Sequence, residues 1–187
     1  MTVWTIDLYA ILSADDCIAD SAGNMPREMM NDADWKYFQE ELDSCAIIVL
    51  GRRSHEAAPN TAGRRRVVMT SSAGTIESRE GVTWWNPERV NLREMFAATV
   101  PDGGKVGVPG GRQAFDYFLR EGLDRFHLSR AANVRLPGGT RAFSAPGTAE
   151  ENLRKAGLVP GPQQVIDPEA QVTLTVWNRR GDNQWPA

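Results

Sequence analysis

The apolar positions of this chain change their period from segment to segment, and that change lays out the elements. Residues 3–13 are a long, mostly apolar run that predicts a first, central strand. Residues 14–30 are polar, rich in Asp, Ser, Gly and Asn with Pro26 among them, and at that length predict a functional or mobile loop. Asn31 or Asp32 can cap a helix running to about residue 43, on which Trp35, Phe38 and Leu42 fall at i, i+3 and i+7 and predict an apolar face. Residues 46–50 are continuously apolar and end at Gly51, the pattern of a strand buried on both faces. A helix over 52–58, stopped by Pro59, a strand over 64–72 with a basic start and hydroxyls at its end, and a short strand over 82–85 follow.

Residues 92–99 predict a helix. Val106-Gly107-Val108-Pro109-Gly110-Gly111 then reads as a buried strand and a double-glycine turn, leading into a helix with Phe115, Phe118 and Leu119 on one face. Residues 125–129 form the next strand. The tail differs: a short helix over 150–156, then strands over 163–166 and 171–177 around Asp167-Pro168-Glu169, an antiparallel hairpin closing one sheet edge. Strands alternating with helices argue an α/β fold with a mostly parallel sheet and helices on both faces. Without an internal repeat or linker, residues 1–187 are expected to be one domain.

Composition narrows the partners. Hydrophobic residues at 41% and charged residues at 24% are ordinary for a globular protein, and a net charge of −3 predicts no nucleic-acid partner. Arg64-Arg65-Arg66 does not change this, because it lacks the aromatic interleaving of a nucleic-acid surface. Cys17 and Cys45 make neither a zinc framework nor a disulfide scaffold, which fits a reducing cytoplasm. His55 and His127 are too few and too scattered to predict a metal site. Residues 1–7 lack the basic and apolar regions of a signal peptide, and no apolar run reaches membrane-spanning length.

The chemistry is expected at the carboxyl ends of the parallel strands, where open α/β sheets bind ligands. Three of those ends carry anion-binding residue types: Gly51, Arg52, Arg53 and Ser54 after one strand, Thr70 and Ser71 after another, and Gly110, Gly111, Arg112 and Gln113 after a third. Glycines let a ligand approach the backbone, and a helix start offers free N–H groups and the positive end of its dipole. The spacing is not the GxGxxG dinucleotide fingerprint. Asp34 is the carboxylate to single out, one turn before Phe38 on the same side of a helix, where it could orient a heterocycle and where desolvation would raise its pKa.

The order of these motifs resembles the dihydrofolate reductase fold family over residues 3–145. Residues 10–19 resemble the family's first strand and turn, Asn24-Met25-Pro26 its substrate loop, and Asp34 with Phe38 the acid and aromatic of its substrate helix. Residues 48–54 match its strand and cofactor motif, residues 63–71 its second basic strand, and Gly110-Gly111 with Phe115 and Phe118 its glycine-turn helix. The resemblance implies an NADPH-dependent reductase. Arg52 and Arg53 would then meet the cofactor's phosphates, Thr70 and Ser71 its 2′-phosphate and adenosine side, and the Gly110–Gly111–Arg112 turn its pyrophosphate. Asp34 would be catalytic, supported by Ser129, with Phe38 and Arg64 binding substrate; Arg64 matches the family's carboxylate-binding arginine.

Several positions depart from true folate reductases. Arg27 replaces a Trp after Met-Pro, Ala19 replaces a Gly, and Pro109 and Arg112 flank the glycine pair. Residues 138–143, Gly-Gly-Thr-Arg-Ala-Phe, resemble instead the reductase domain of the riboflavin-biosynthesis deaminase-reductase and its stand-alone relatives. The expectation is a riboflavin-reductase-like enzyme acting on a small heterocyclic or ribosyl-type substrate. The alternatives are a true dihydrofolate reductase and a non-catalytic NADP(H)-binding protein of the same fold. The family branch and the closing hairpin imply a homodimer.

Overall fold

The structure, a computed structural model, describes residues 3–181. Its centre is a ten-stranded sheet. In chain order the strands are β1 (Trp4–Ser13), β3 (Ile47–Gly51), β4 (Arg66–Met69), β5 (Ile76–Arg79), β6 (Val82–Trp85), β7 (Gly104–Val108), β8 (Arg125–Ala131), β10 (Leu158–Pro160), β11 (Gln164–Asp167) and β12 (Val172–Arg179), while β2 (Cys17–Ala19) and β9 (Thr140–Arg141) form a separate small pair. The helices are α1 (Asp32–Asp43), α2 (Arg52–Ala57), α3 (Leu92–Thr99), α4 (Arg112–Glu121) and α5 (Ala149–Lys155). The spatial order is β10-β12-β8-β1-β7-β3-β4-β6-β5, and β8 through β6 run parallel. The tail closes the β8 edge as expected, with β12 antiparallel to β8 and both β10 and β11 antiparallel to β12.

Side-chain alternation shows that both faces of the sheet are covered. Ile6, Leu8, Ile47, Val49 and Val67 join α3, α4 and α5 in the larger core, whereas Tyr9, Ile48, Leu50 and Val68 join Leu42 of α1 in a smaller core on the other face. Successive residues of one strand thus divide between two cores, as a period of two requires. That double burial is why these strands read as continuous apolar runs.

Three expectations are corrected. Trp35 is 60% exposed and does not belong to the buried face of α1. Beneath α1 the sheet presents Asp7 and His127, and α1 answers with Tyr37 and Glu41 rather than a purely apolar stripe. Residues 14–30 are not a bare loop: they contain β2 and a 3-10 turn, Arg27–Met29, whose Met29 is buried against Ile11, Ala131 and Val172. The strand expected from residue 64 begins at Arg66, because the Asn60 side chain takes both the backbone N–H and the carbonyl of Arg64. The short edge strand β5 is additional. It pairs with β6 through Glu80 and Gly81, both at positive φ as a two-residue hairpin turn needs, but only Ile76 gives it an apolar signal.

Gly139 sits where the two strands of the small sheet meet. A Cβ there would lie 2.5 Å from the Ala19 carbonyl oxygen and 2.8 Å from that of Leu136, so only glycine lets β2 and β9 approach. Gly139→Ala is expected to lower stability by about 1–3 kcal/mol, the usual cost of overpacking. The urea midpoint reads this directly; an unchanged midpoint would mean the β2–β9 pair separates freely.

Candidate active site

The register of the sheet brings the predicted anion-binding motifs together. β7, β3 and β4 are consecutive neighbours, and Gly51 pairs with Met69, one residue before Thr70. Gly111 starts α4 beside α2: a Cβ built on Gly111 would lie 3.5 Å from the Ser54 hydroxyl oxygen. Gly110 has φ +124°, a conformation an L side chain rarely adopts.

The helix starts differ in a way that marks this place. α1, α3 and α5 are each capped by a side chain, from Asn31, Asn91 and Thr148, and each has an acid in its first turn. α2 and α4 start at Gly51 and Gly111 with no side-chain cap and no first-turn acid. Their first amides therefore keep unmatched donors, and no negative charge offsets the α4 dipole. Arg53, Arg112 and Gln113 have no hydrogen-bond or ion-pair partner among the described residues, whereas Arg52 pairs at the surface with Glu56 at 3.1 Å. Thr70 hydrogen-bonds Ser72 at 3.0 Å, leaving the exposed Ser71 hydroxyl free among the described residues. The donor set fits a group carrying several phosphates, such as a nicotinamide dinucleotide.

The other half of the site lies at the start of α1. The Asn31 side chain accepts from the Asp34 amide at 3.0 Å and donates to Asp167 at 2.7 Å, tying the helix start to β11. Burial pushes the Asp34 carboxyl above its ordinary range, and the Ser129 hydroxyl on β8 opposes that rise. Phe38 packs against Tyr9 and Trp35 with ring centroids 6.1 and 5.7 Å apart. The structure thus brings Asp34 to Ser129 and sets Phe38 one turn along. Arg64 is placed differently. Its Nε and Nη2 bond Asp43 at 2.9 and 2.6 Å, and Nη2 also bonds the Gln39 side chain at 2.8 Å. Those donors are already matched within the protein.

Sequence reasoning missed a buried polar cluster under the far half of α1. Asp7 is fully buried and receives Arg125 at 2.8 Å, with Lys105 3.6 Å and the His127 Nε2 3.5 Å away. The His127 Nδ1 lies 2.5 Å from the Tyr37 hydroxyl, and Lys105 also pairs with Glu41. Ligand atoms of Asp7, Glu41 and His127 lie within 4.8 Å of one another, but Lys105 and Arg125 already bring positive charge to these carboxylates. The signal available was an aspartate inside an otherwise apolar strand.

No protein-family profile and no curated protein matches the sequence. Solved structures do. A dihydrofolate reductase from Enterococcus faecalis, complexed with NADP(H) and RAB-propyl, superposes with a TM-score of 0.67 at 17% identity, over 94% of this chain and 96% of that one. A candidate riboflavin biosynthesis protein from Shewanella sp. PV-4 superposes with a TM-score of 0.67 at 15% identity, over 94% of this chain and 99% of that one. No helix among the described residues is long and apolar enough to cross a membrane. Strand order, covered faces and these superpositions agree: the chain has the dihydrofolate reductase-like fold.

Proposed function

We propose that the protein is an NADPH-dependent reductase that transfers a hydride to a small heterocyclic or ribosyl-type substrate. The observation that carries this reading is the pair of uncapped helix starts, α2 and α4, side by side at Ser54 and Gly111 with Arg53 unpartnered. The E. faecalis reductase of the same fold is complexed with NADP(H). In this reading the Gly110–Gly111 turn, Arg112 and Gln113 hold the pyrophosphate, Gly51 to Ser54 the adjoining phosphate, and Thr70 and Ser71 the 2′-phosphate side. The bound dihydronicotinamide supplies the hydride, and the protein supplies position and electrostatics. Asp34, steadied by Ser129, orients the substrate or promotes its protonation, and Phe38 flanks it.

The engagement of Arg64 by Asp43 and Gln39 bears on the substrate. An arginine so held is poorly placed to take a substrate carboxylate, which favours a riboflavin-type substrate over dihydrofolate. Dihydrofolate-dependent NADPH oxidation, or a thermal shift with methotrexate, would restore the folate reading. A cytoplasmic homodimer joined through the C-terminal hairpin belongs to the same proposal, and sedimentation at micromolar concentration tests it.

Thermal denaturation with NADPH tests the cofactor. A ligand at about 100 times its Kd stabilises the folded state by about 2.7 kcal/mol. For a chain of this size that corresponds to a rise of roughly 5–10 °C in Tm. Arg53→Ala and Gly111→Val are each expected to weaken NADPH about tenfold or more, the cost of losing a charge-assisted bond or blocking the backbone. No shift with any nicotinamide nucleotide would end the reductase reading.

A further inference from the structure

The larger-core face of β8 and β12 carries a hollow that the reductase reading leaves unused. It measures about 260 Å³, and a second hollow of about 280 Å³ adjoins it, sharing Arg154 and Pro160. Thr173, Thr175 and Trp177 project into it from alternate positions of β12, and α5 closes its other side with Glu150 and Arg154. The hollow lies on the opposite face of β8 from Ser129, since Leu128 and Arg130 line it and strand neighbours alternate.

Several of its donors meet no protein acceptor among the described residues. Thr175 offers the hollow a hydroxyl that has no partner among the described residues. The buried indole N–H of Trp177 also lacks an acceptor. The exposed Arg154 guanidinium lies 5.2 Å above the Trp177 ring and meets no carboxylate among the described residues. The Glu150 carboxylate does not neutralise Arg154, because Arg130 takes it at 2.5 Å and is itself held by Asp16 at 2.9 Å. Arg180 lines the second hollow and adds a further positive charge. A concave site lined by an unpartnered hydroxyl and a guanidinium that meets no carboxylate suits a ligand made of acceptors.

We propose that this hollow binds a small oxyanion, the phosphate of a monoester or the carboxylate of an organic acid, with Arg154 supplying the charge and Thr175 a hydroxyl. The site lies on β8 and β12, with β1 between β8 and the strand β7 that leads to the Gly110–Gly111 turn, and the proposal does not rest on the reductase reading.

An NMR titration of the full chain, with inorganic phosphate and separately with succinate at constant ionic strength, tests it. The expected result is a saturable shift of the Thr175 amide and of the Trp177 indole N–H, the latter assigned by its loss in Trp177→Phe. Arg154→Gln should weaken the response about tenfold, as loss of a charged hydrogen bond implies, and Thr175→Val should weaken it too. A response to both anions identifies a general oxyanion site, and a response to phosphate alone a phosphate-ester site. Shifts confined to Arg53 and residues 110–113, or an unchanged response in Arg154→Gln, would overturn the proposal while leaving the cofactor reading intact. Arg154 is exposed, so its variant decides the matter even if Thr175→Val fails to fold.

Discussion

Asp7→Asn is expected to remove about 3 kcal/mol of folding stability, within the range measured when one partner of a buried ion pair is deleted. Asp7 has no exposed surface, and its carboxylate meets Arg125, Lys105 and His127. An amide of the same shape keeps the packing but leaves the cations without their counter-charge. Arg125 and Lys105 keep side-chain exposures of 39% and 18%, so water recovers part of the loss and the effect falls at the low end. The pH dependence has a definite sign. Burial by itself would raise the Asp7 carboxyl, but the bonds from His127 and Arg125 outweigh it and hold the group below its ordinary value of 3.8. Its contribution is therefore complete above that ordinary value and is lost as pH falls through the lower folded-state pKa. Urea titrations from pH 7 down to pH 2 should show the wild type losing stability toward acid and Asp7→Asn losing less. A midpoint within experimental error of wild type at pH 7 would mean the cluster is electrostatically idle.

Much of this fold was legible because its parallel strands are covered on both sides. Residues 46–50 could be read as a buried strand directly, since both faces of β3 demand apolar side chains. The elements that escaped have weak local signals and depend on their partners. β5 has a single apolar residue and exists because β6 offers it a ladder; β9 and β10 are two and three residues long. The exposure of Trp35 shows the same limit. Of the i, i+3, i+7 set, Phe38 and Leu42 reach the smaller core with Tyr9, Ile48, Leu50 and Val68, while Trp35, near the helix start, stays outside it. The anion-binding motifs were legible as residue types. Their convergence was not, because it depends on β7, β3 and β4 being neighbours, which strand order alone decides. Arg64 shows the reverse: the motif marks an arginine, but only the fold reveals that Asp43 and Gln39 hold it.

Asp34→Asn should separate the two sides of the site, losing activity while gaining stability. If Asp34 orients substrate or promotes its protonation, its loss should lower turnover by about 10²–10⁴-fold, the usual range for general acid–base groups. NADPH affinity should stay within about twofold, since the residues assigned to the cofactor follow β3, β4 and β7, on α2, the turn after β4 and the start of α4, while Asp34 lies on α1. The carboxyl is raised by burial against the smaller opposing effect of Ser129. Between its ordinary and raised values the folded protein binds more protons than the unfolded chain, so stability falls as pH rises through that window. At neutral pH the ionised carboxylate therefore weighs against the fold, and asparagine relieves it. The variant should melt at or above the wild-type temperature at pH 7, and the difference should vanish below pH 4. Wild-type turnover should also fall as pH rises through the raised pKa, and that dependence should be absent from the residual activity of Asp34→Asn. Ser129→Ala, which removes the group opposing the rise, should shift the wild-type profile toward higher pH. A variant that keeps turnover and its pH dependence would remove Asp34 from the chemistry, and would leave the proposed cofactor site as the remaining functional assignment.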